Sequence, residues 1–269
     1  MDLSSIVGLI VGFAGLLTGY LIEGHFDFTL LGSLIQPSAA SIVFGGTIGC
    51  TMVAFPLSEL AKVPGLLKII FTQKQYNEVD IINELAELSE KARKDGLLSL
   101  EQDAQTNSND LIKKGLSLVV DGIEIEVIKD ILQRESYLHE SVFESGAKIF
   151  EAAGGFSPTM GVLGTVMGMV SILKNLTNPE ELGPMISVAF VATLYGVLFA
   201  NLFWLAFANK IKVKAARETM ISDLIIEGLL SIQAGENPRI IKEKLNLTLL
   251  EKMSKKTSSA KQELQEAEG

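Results

Sequence analysis

Cysteine, histidine and tryptophan are nearly absent: 269 residues hold one cysteine, two histidines and one tryptophan. Cys50 has no second thiol to pair with, and its place in an apolar run suits a small core residue. His25 and His139 stand far apart, and no clustered His/Cys/Asp/Glu ligand set occurs, so no metal site and no cofactor is expected. An excess of basic residues is missing too. The net charge of −9 argues against nucleic acid, whose backbone calls for a cationic face. There is no P-loop and no nucleophile beside a base in recognisable order, which leaves no case for an enzyme.

The absence that decides the fold class is one of charge. Residues 3–22, 28–58, 152–173 and 182–209 contain no Asp, Glu, Lys, Arg or His. Each is long enough to cross a hydrocarbon core of about 30 Å as a helix. Outside these runs the chain is densely charged, which reconciles 48% hydrophobic residues with 20% charged ones. The expectation is an all-α polytopic membrane protein with four transmembrane helices. The first run is a retained span rather than a signal peptide, since Met1–Asp2 gives no basic leader and no small-residue cleavage site follows. Of 23 Lys and Arg residues, eleven lie in 57–148 and eleven in the tail from Lys210. By the positive-inside rule both charged segments, and both termini, are expected to be cytoplasmic.

Four parts follow: spans one and two (1–58), a cytoplasmic helical domain (59–150), spans three and four (151–209), and a cytoplasmic tail (210–269), disordered from about 252. In the first span Gly8, Gly12, Gly15 and Gly19 share one helical face, a smooth strip for a neighbouring helix; Ser41, Gly45 and Gly49 repeat the device in the second. Pro37 and Pro56 should bend that second run at its two ends. In the charged insertion Ile81, Leu85, Leu88 and Ala92 recur at helical spacing, as do Ile123, Val127, Ile131 and Leu132 further on. Gly96 interrupts the first helix, and Thr106–Asn107–Ser108–Asn109–Asp110 reads as a turn opening another. Met220, Leu224, Ile225, Leu229 and Ile232 form a further amphipathic face, stopped by Gly235 and Pro238. No hairpin signal appears.

The third run carries the unusual chemistry. Pro158 removes one amide from its span and leaves the carbonyl of Gly154 without a helical donor. In lipid that carbonyl needs another partner, so this stretch should face protein or water. Thr165 is two helical turns later on the same face, and the fourth run offers Thr193, Tyr195 and Asn201. For either threonine alone, a bond back to its own helix is the simpler role. Transporters that act alone usually keep an acid, base or histidine inside a span, and none is present here. A self-sufficient ion transporter is therefore disfavoured. An ion crossing this chain must borrow its titrating group from a partner.

The stretch Phe156–Ser157–Pro158–Thr159–Met160–Gly161–Val162–Leu163–Gly164–Thr165–Val166, followed by Val191–Ala192–Thr193–Leu194–Tyr195–Gly196–Val197–Leu198–Phe199–Ala200–Asn201, resembles the flagellar motor stator family of MotA and PomA. Arg93–Lys94–Asp95–Gly96–Leu97–Leu98–Ser99–Leu100–Glu101 and Ile232–Gln233–Ala234–Gly235–Glu236–Asn237–Pro238–Arg239–Ile240–Ile241 resemble the same family, in the right order over most of the chain. The resemblance implies a multi-pass subunit of the bacterial inner membrane, a homo-oligomer of five around two MotB-like partner chains. The partner would supply the ion-binding carboxylate. Pro158, Thr165 and Thr193 would then line the ion path, and Arg93 and Glu101 would engage the rotor protein FliG. The latter two are opposite charges eight residues apart, about 12 Å along a continuous helix. Many members carry a second proline late in span four, where this chain has Ala206. Threonine at the place of Thr165 is typical of sodium-type relatives and several proton-type members have alanine there, so the transported ion is H+ or Na+, with H+ taken here. The alternative reading is a TolQ/ExbB-type energiser of envelope proteins, with three spans.

Overall fold

A computed structural model describes residues 2–72, 77–174, 176 and 179–251. In chain order the helices are α1 (Leu3–Glu23), α2 (Pro37–Ala40), α3 (Gly46–Ala54), α4 (Leu57–Leu60), α5 (Val63–Phe71), α6 (Glu78–Asp95), α7 (Glu101–Thr106), α8 (Asp110–Val120), α9 (Ile125–Lys174), α10 (Pro179–Phe199), α11 (Ala206–Gln233) and α12 (residues 238–251). Two π-helical stretches, Ser41–Gly45 and Ala200–Leu205, join α2 to α3 and α10 to α11. No strand occurs among the described residues. The tail expected to be disordered from about 252 lies outside them. Two compact units emerge: Met1–Gln73 with Val142–Val213, and Lys74–Ser141 with Lys214–Gly269. Helices α9 and α11 each give one part to either unit.

The first unit holds the four charge-free runs, and among the described residues four helical stretches are long and apolar enough to cross a membrane. Asp2 caps α1 by accepting from the Ser5 amide, as an extended N-cap residue does. At the other end His25 and Phe26 adopt left-handed backbone (φ 53 and 63), uncommon for residues with a Cβ. The amides of His25 and Phe26 bond back to Ile22 and Leu21, so the last turn of α1 keeps its carbonyls satisfied. Asp27 then caps the 3-10 turn Phe28–Leu34 through Thr29. The Thr29 hydroxyl, and after it the Thr29 amide, hold the Asp27 carboxyl below its usual range. Pro37 opens α2 at its first turn, and Phe55 turns extended ahead of Pro56 to end α3, as the sequence implied.

Within this one chain the small-residue strips make few helix contacts. On α1 only Gly12 meets a neighbour, Leu202, while a Cβ on Gly8, Gly15 or Gly19 would touch nothing within 4 Å. In the second span Ser41, Gly45 and Gly49 lie on the exposed face, and Val43 and Thr47 on the buried one. Packing here is aromatic instead. Phe199, Phe203 and Phe207 run down one face of the fourth span, with Phe199 and Phe203 stacked at 5.0 Å. Phe44 meets Phe199 edge-on at 4.5 Å, and Phe13 meets Phe203 at 5.8 Å.

The second unit is a helical core. Ile81, Leu85, Leu88 and Ala92 of α6 are buried together with Ile112, Leu116 and Val119 of α8. Leu224, Ile225, Leu229 and Ile232 of α11 and Ile241 and Leu245 of α12 complete it. On α9 the buried pair is Ile128 and Leu132; Val127, expected on that face, is 45% exposed because the inward face runs one residue later. Asn109 caps α8 by accepting from the Leu111 and Ile112 amides. Gly235, at φ +72, ends the helical stretch before α12, a left-handed position that glycine adopts without a Cβ penalty.

Leu229 is fully buried and reaches over Gly115, where an added Cβ would lie 2.2 Å from its Cδ1. Leu229→Ala should therefore destabilise this unit by about 2–5 kcal/mol. Hydrogen–deuterium exchange should show faster exchange in α8 and in the Lys214–Gln233 part of α11.

Candidate functional site

The site grows from a contact between the membrane parts of α9 and α10. Gly161, Gly164 and Gly168 lie three and four residues apart on α9, and Ala189, Ala192 and Gly196 repeat those spacings on α10. The two sets face each other in antiparallel order. A Cβ on Gly168 would sit 2.7 Å from the Ala189 methyl, and one on Gly164 would sit 2.7 Å from the Ala192 methyl. At the third level there is no side chain at all: a Cβ on Gly196 would be 2.9 Å from the Gly161 Cα and 2.7 Å from the Ser157 carbonyl oxygen. Backbone meets backbone there, a separation only glycine permits.

Close approach exposes main-chain carbonyls to the hydroxyls of the facing helix. Ser157, fully buried, donates to the Gly196 carbonyl at 2.9 Å. Two turns on, Thr165 Oγ1 lies 2.9 Å from the Ala189 carbonyl and 3.2 Å from its own Gly161 carbonyl, and it pairs with the Thr193 hydroxyl. A hydroxyl has one proton to give. When Thr165 gives it to Ala189, Thr193 must be the donor within the threonine pair. Ala189 is four residues before Thr193, so the carbonyl a simple back-bond of Thr193 would use accepts from the opposite helix instead.

Of the residues the sequence singled out, the fold thus brings Thr165 and Thr193 into direct contact. Pro158, half-buried, stands seven residues before Thr165 inside α9, which runs on through it as one helix. Tyr195 and Asn201 do not join this seam. Tyr195 donates to the Leu34 carbonyl and accepts from the Gln36 amide, pinning α10 to the start of the second span. Asn201, exposed in the π-helical stretch, donates back to the Val197 carbonyl of α10 at 2.8 Å. Ala206, where relatives were expected to carry proline, opens α11 directly after that stretch. Ser157 was missed. Its signal was the four-residue spacing Ser157–Gly161–Thr165, which puts one hydroxyl on each side of the closest contact.

Arg93 and Glu101 lie in the other unit and are both exposed. The continuous helix assumed for them is not there. Helix α6 ends at Asp95, Gly96 takes φ +85, and Leu97–Leu100 forms a 3-10 turn before Glu101 starts α7. The Lys91–Asp103 ion pair, 2.7 Å, ties the end of α6 to α7 across this corner. Beside it Lys94 bonds Glu90, holding the Glu90 carboxyl below and the Lys94 amine above their ordinary values. Among the described residues no group of three or more His, Cys, Asp or Glu could hold a metal ion. Cys50 is a free, half-buried thiol.

Residues 103–224 match the model of the MotA/TolQ/ExbB proton channel family, and residues 6–96 match that of the motility protein A N-terminal region. Motility protein A of Bacillus subtilis is 38% identical over 250 residues, covering 93% of this chain and 91% of the relative. The chemotaxis protein PomA of Vibrio alginolyticus is 32% identical over 241 residues, covering 90% and 92%. A chain in the structure of the flagellar MotAB stator complex from Bacillus subtilis superimposes with a TM-score of 0.84 at 38% identity, covering 91% of this chain and 94% of that one.

Glycine-to-alanine changes separate seam from surface on α9 and α10. Alanine gains about 0.5–1 kcal/mol over glycine inside a helix, and forcing a methyl into tight packing costs about 1–3 kcal/mol. Gly155→Ala, with nothing within 4 Å of the new methyl, should leave the thermal stability of the detergent-purified protein equal or higher. Gly196→Ala should lower it, because two backbones must separate.

Proposed function

The chain belongs to the MotA/TolQ/ExbB proton channel family, and from that premise we propose that it is the ion-conducting stator subunit of a bacterial flagellar motor, coupling ion flow to torque. One observation carries the mechanism: the four apolar runs contain no Asp, Glu, Lys, Arg or His, yet α9 and α10 share a line of hydroxyls and carbonyls ending in the Thr165–Thr193 pair. Such a wall can solvate an ion in transit but cannot hold or release a proton itself. The carboxylate must come from a second subunit, a MotB-like chain by analogy with the MotAB complexes. Pro158, Thr165 and Thr193 form the part of the ion path that this subunit owns.

In this reading five copies surround two partner chains in the inner membrane, with both termini and the Lys74–Ser141 unit on the cytoplasmic side. Each elementary charge moving down 100 mV releases about 2.3 kcal/mol. Neutralising the partner carboxylate removes its attraction to the polar wall, and the ring steps to the next copy. Arg93 and Glu101, exposed on either side of the Gly96 corner, meet the rotor protein FliG. Exposed charges give steering and selectivity more than affinity, which suits contacts made and broken repeatedly. The family's TolQ/ExbB-type energiser role predicts three spans. The four candidate membrane helices and the motility protein A match at residues 6–96 favour the motor.

Charge reversal at both Arg93 and Glu101 should reduce swimming while leaving assembly with the partner intact; unchanged motility removes these two residues from the rotor interface. The ion is decided by swimming speed at fixed pH. Speed that follows external sodium assigns Na+, and speed that ignores sodium but collapses with a proton uncoupler assigns H+. Thr165→Val removes the cross-helix hydrogen bond to the Ala189 carbonyl, a loss of about 0.5–1.5 kcal/mol. It should cut ion flux through the complex with its partner more than it cuts the amount of complex recovered.

A further inference from the structure

Beyond its N-terminal end, where Lys210 reaches Ser4 at 2.8 Å, helix α1 touches the rest of its unit at two further levels and stands away between them. At one level Phe13 meets Phe203 edge-on at 5.8 Å and Gly12 lies against Leu202. At the other the Tyr20 and Ser33 hydroxyls are 3.1 Å apart. Phe13 and Tyr20 are seven residues, or about 10 Å, apart along the helix. Between the two levels lies a cavity of about 660 Å3. Gly15, Leu17 and Gly19 form its α1 side; Phe44, Leu194 and Leu198 face them. A Cβ on Gly15 or Gly19 would meet nothing within 4 Å, so these glycines leave room instead of bringing two helices together.

We infer that this cavity is a binding site for one acyl chain of a membrane phospholipid. Its volume is in the range of small-molecule pockets, about 300–1,000 Å3. No carboxylate, amine, imidazole or guanidinium lines it. Its two tyrosine hydroxyls are already engaged, Tyr20 with Ser33 and Tyr195 with Leu34 and Gln36. Nothing there recognises a charged headgroup, and water finds too few partners to fill such a space. The walls belong to charge-free runs, so the medium at the opening is hydrocarbon, and a chain from that medium restores the dispersion contacts an empty space would forfeit. A spanning helix of a second copy does not fit. It needs about 30 Å of unobstructed length, whereas the contacts at Phe13 and Tyr20 close the space at both ends. Recognition is therefore by volume and apolarity, indifferent to the headgroup.

The test uses the full chain with its partner in bilayer nanodiscs containing a phospholipid with a diazirine on its acyl chain. After illumination, adducts mapped by mass spectrometry should concentrate on Leu17, Leu194 and Leu198, above those on Ile10 and Val11 of α1, which lie outside the cavity and are more exposed (61% and 63%, against 41% for Leu17). Exchanging phosphatidylglycerol for phosphatidylethanolamine should leave that pattern unchanged. Gly15→Leu with Gly19→Leu should abolish the cavity adducts and keep those at Ile10; Gly19→Ala, a milder filling, should reduce them in a chain that still assembles. Equal labelling of cavity and exposed positions overturns the inference. So does labelling that survives filling, or photo-cross-links from a benzoylphenylalanine at Leu17 that reach a second copy in place of lipid.

Discussion

Two polypeptide backbones touch without side chains between them at Gly161 and Gly196, and the membrane unit is arranged around that contact. In hydrocarbon no hydrophobic force draws helices together, so dispersion between closely fitted surfaces and hydrogen bonds across them must do it. The glycines permit the fit. Ser157 and Thr165, one turn to either side, use the short separation to reach carbonyls of the opposite helix. The same geometry that makes the pair of helices stable leaves a line of oxygen atoms along it. Stability and a polar lining have one origin here.

That coupling explains why the chain can do without an acid of its own. A carboxylate in the seam would have to be neutralised or solvated within the subunit, at a cost that hydroxyls and carbonyls do not carry. In the proposed reading the titrating group sits on another chain, and the α9–α10 contact stays free to pack. The same reading presents several copies of one polar wall in turn to a single carboxylate.

Much of this was legible in the sequence because the signals were one-dimensional. Absence of charge over residues 3–22 or 152–173 needs no knowledge of partners to be read as a span. The apolar period of Ile81, Leu85, Leu88 and Ala92 likewise marks a core face whatever it packs against. What a small residue is for depends on its neighbour, which the residue itself does not reveal. Gly15 and Gly161 look alike in sequence, yet one borders open space and the other a backbone. Ser157 passed for an ordinary hydroxyl because its partner is 39 residues away. Gly96 was visible as an interruption, but only its left-handed backbone separates Arg93 and Glu101 onto different helices. Val127 was placed inward by periodicity and is outward by one residue of phase.

The π-helical stretch Ala200–Leu205 has a consequence for how the fourth span is kept in phase. A π-bulge accommodates a residue that an α-helix of the same rise would not, and each residue of α-helix advances the azimuth by about 100°. Just beyond it, Phe207 packs against Phe203 and Phe150, and Lys210 holds the carboxylate of Asp2 at 2.9 Å. Those contacts fix the far end of the stretch, and Phe44 against Phe199 fixes the near end. The fourth span therefore reads as a helix with a built-in vernier, in which one surplus residue is stored as a widened turn. Relatives with a proline near Ala206 would meet the same demand with a kink, a change of axis where this chain makes a change of count.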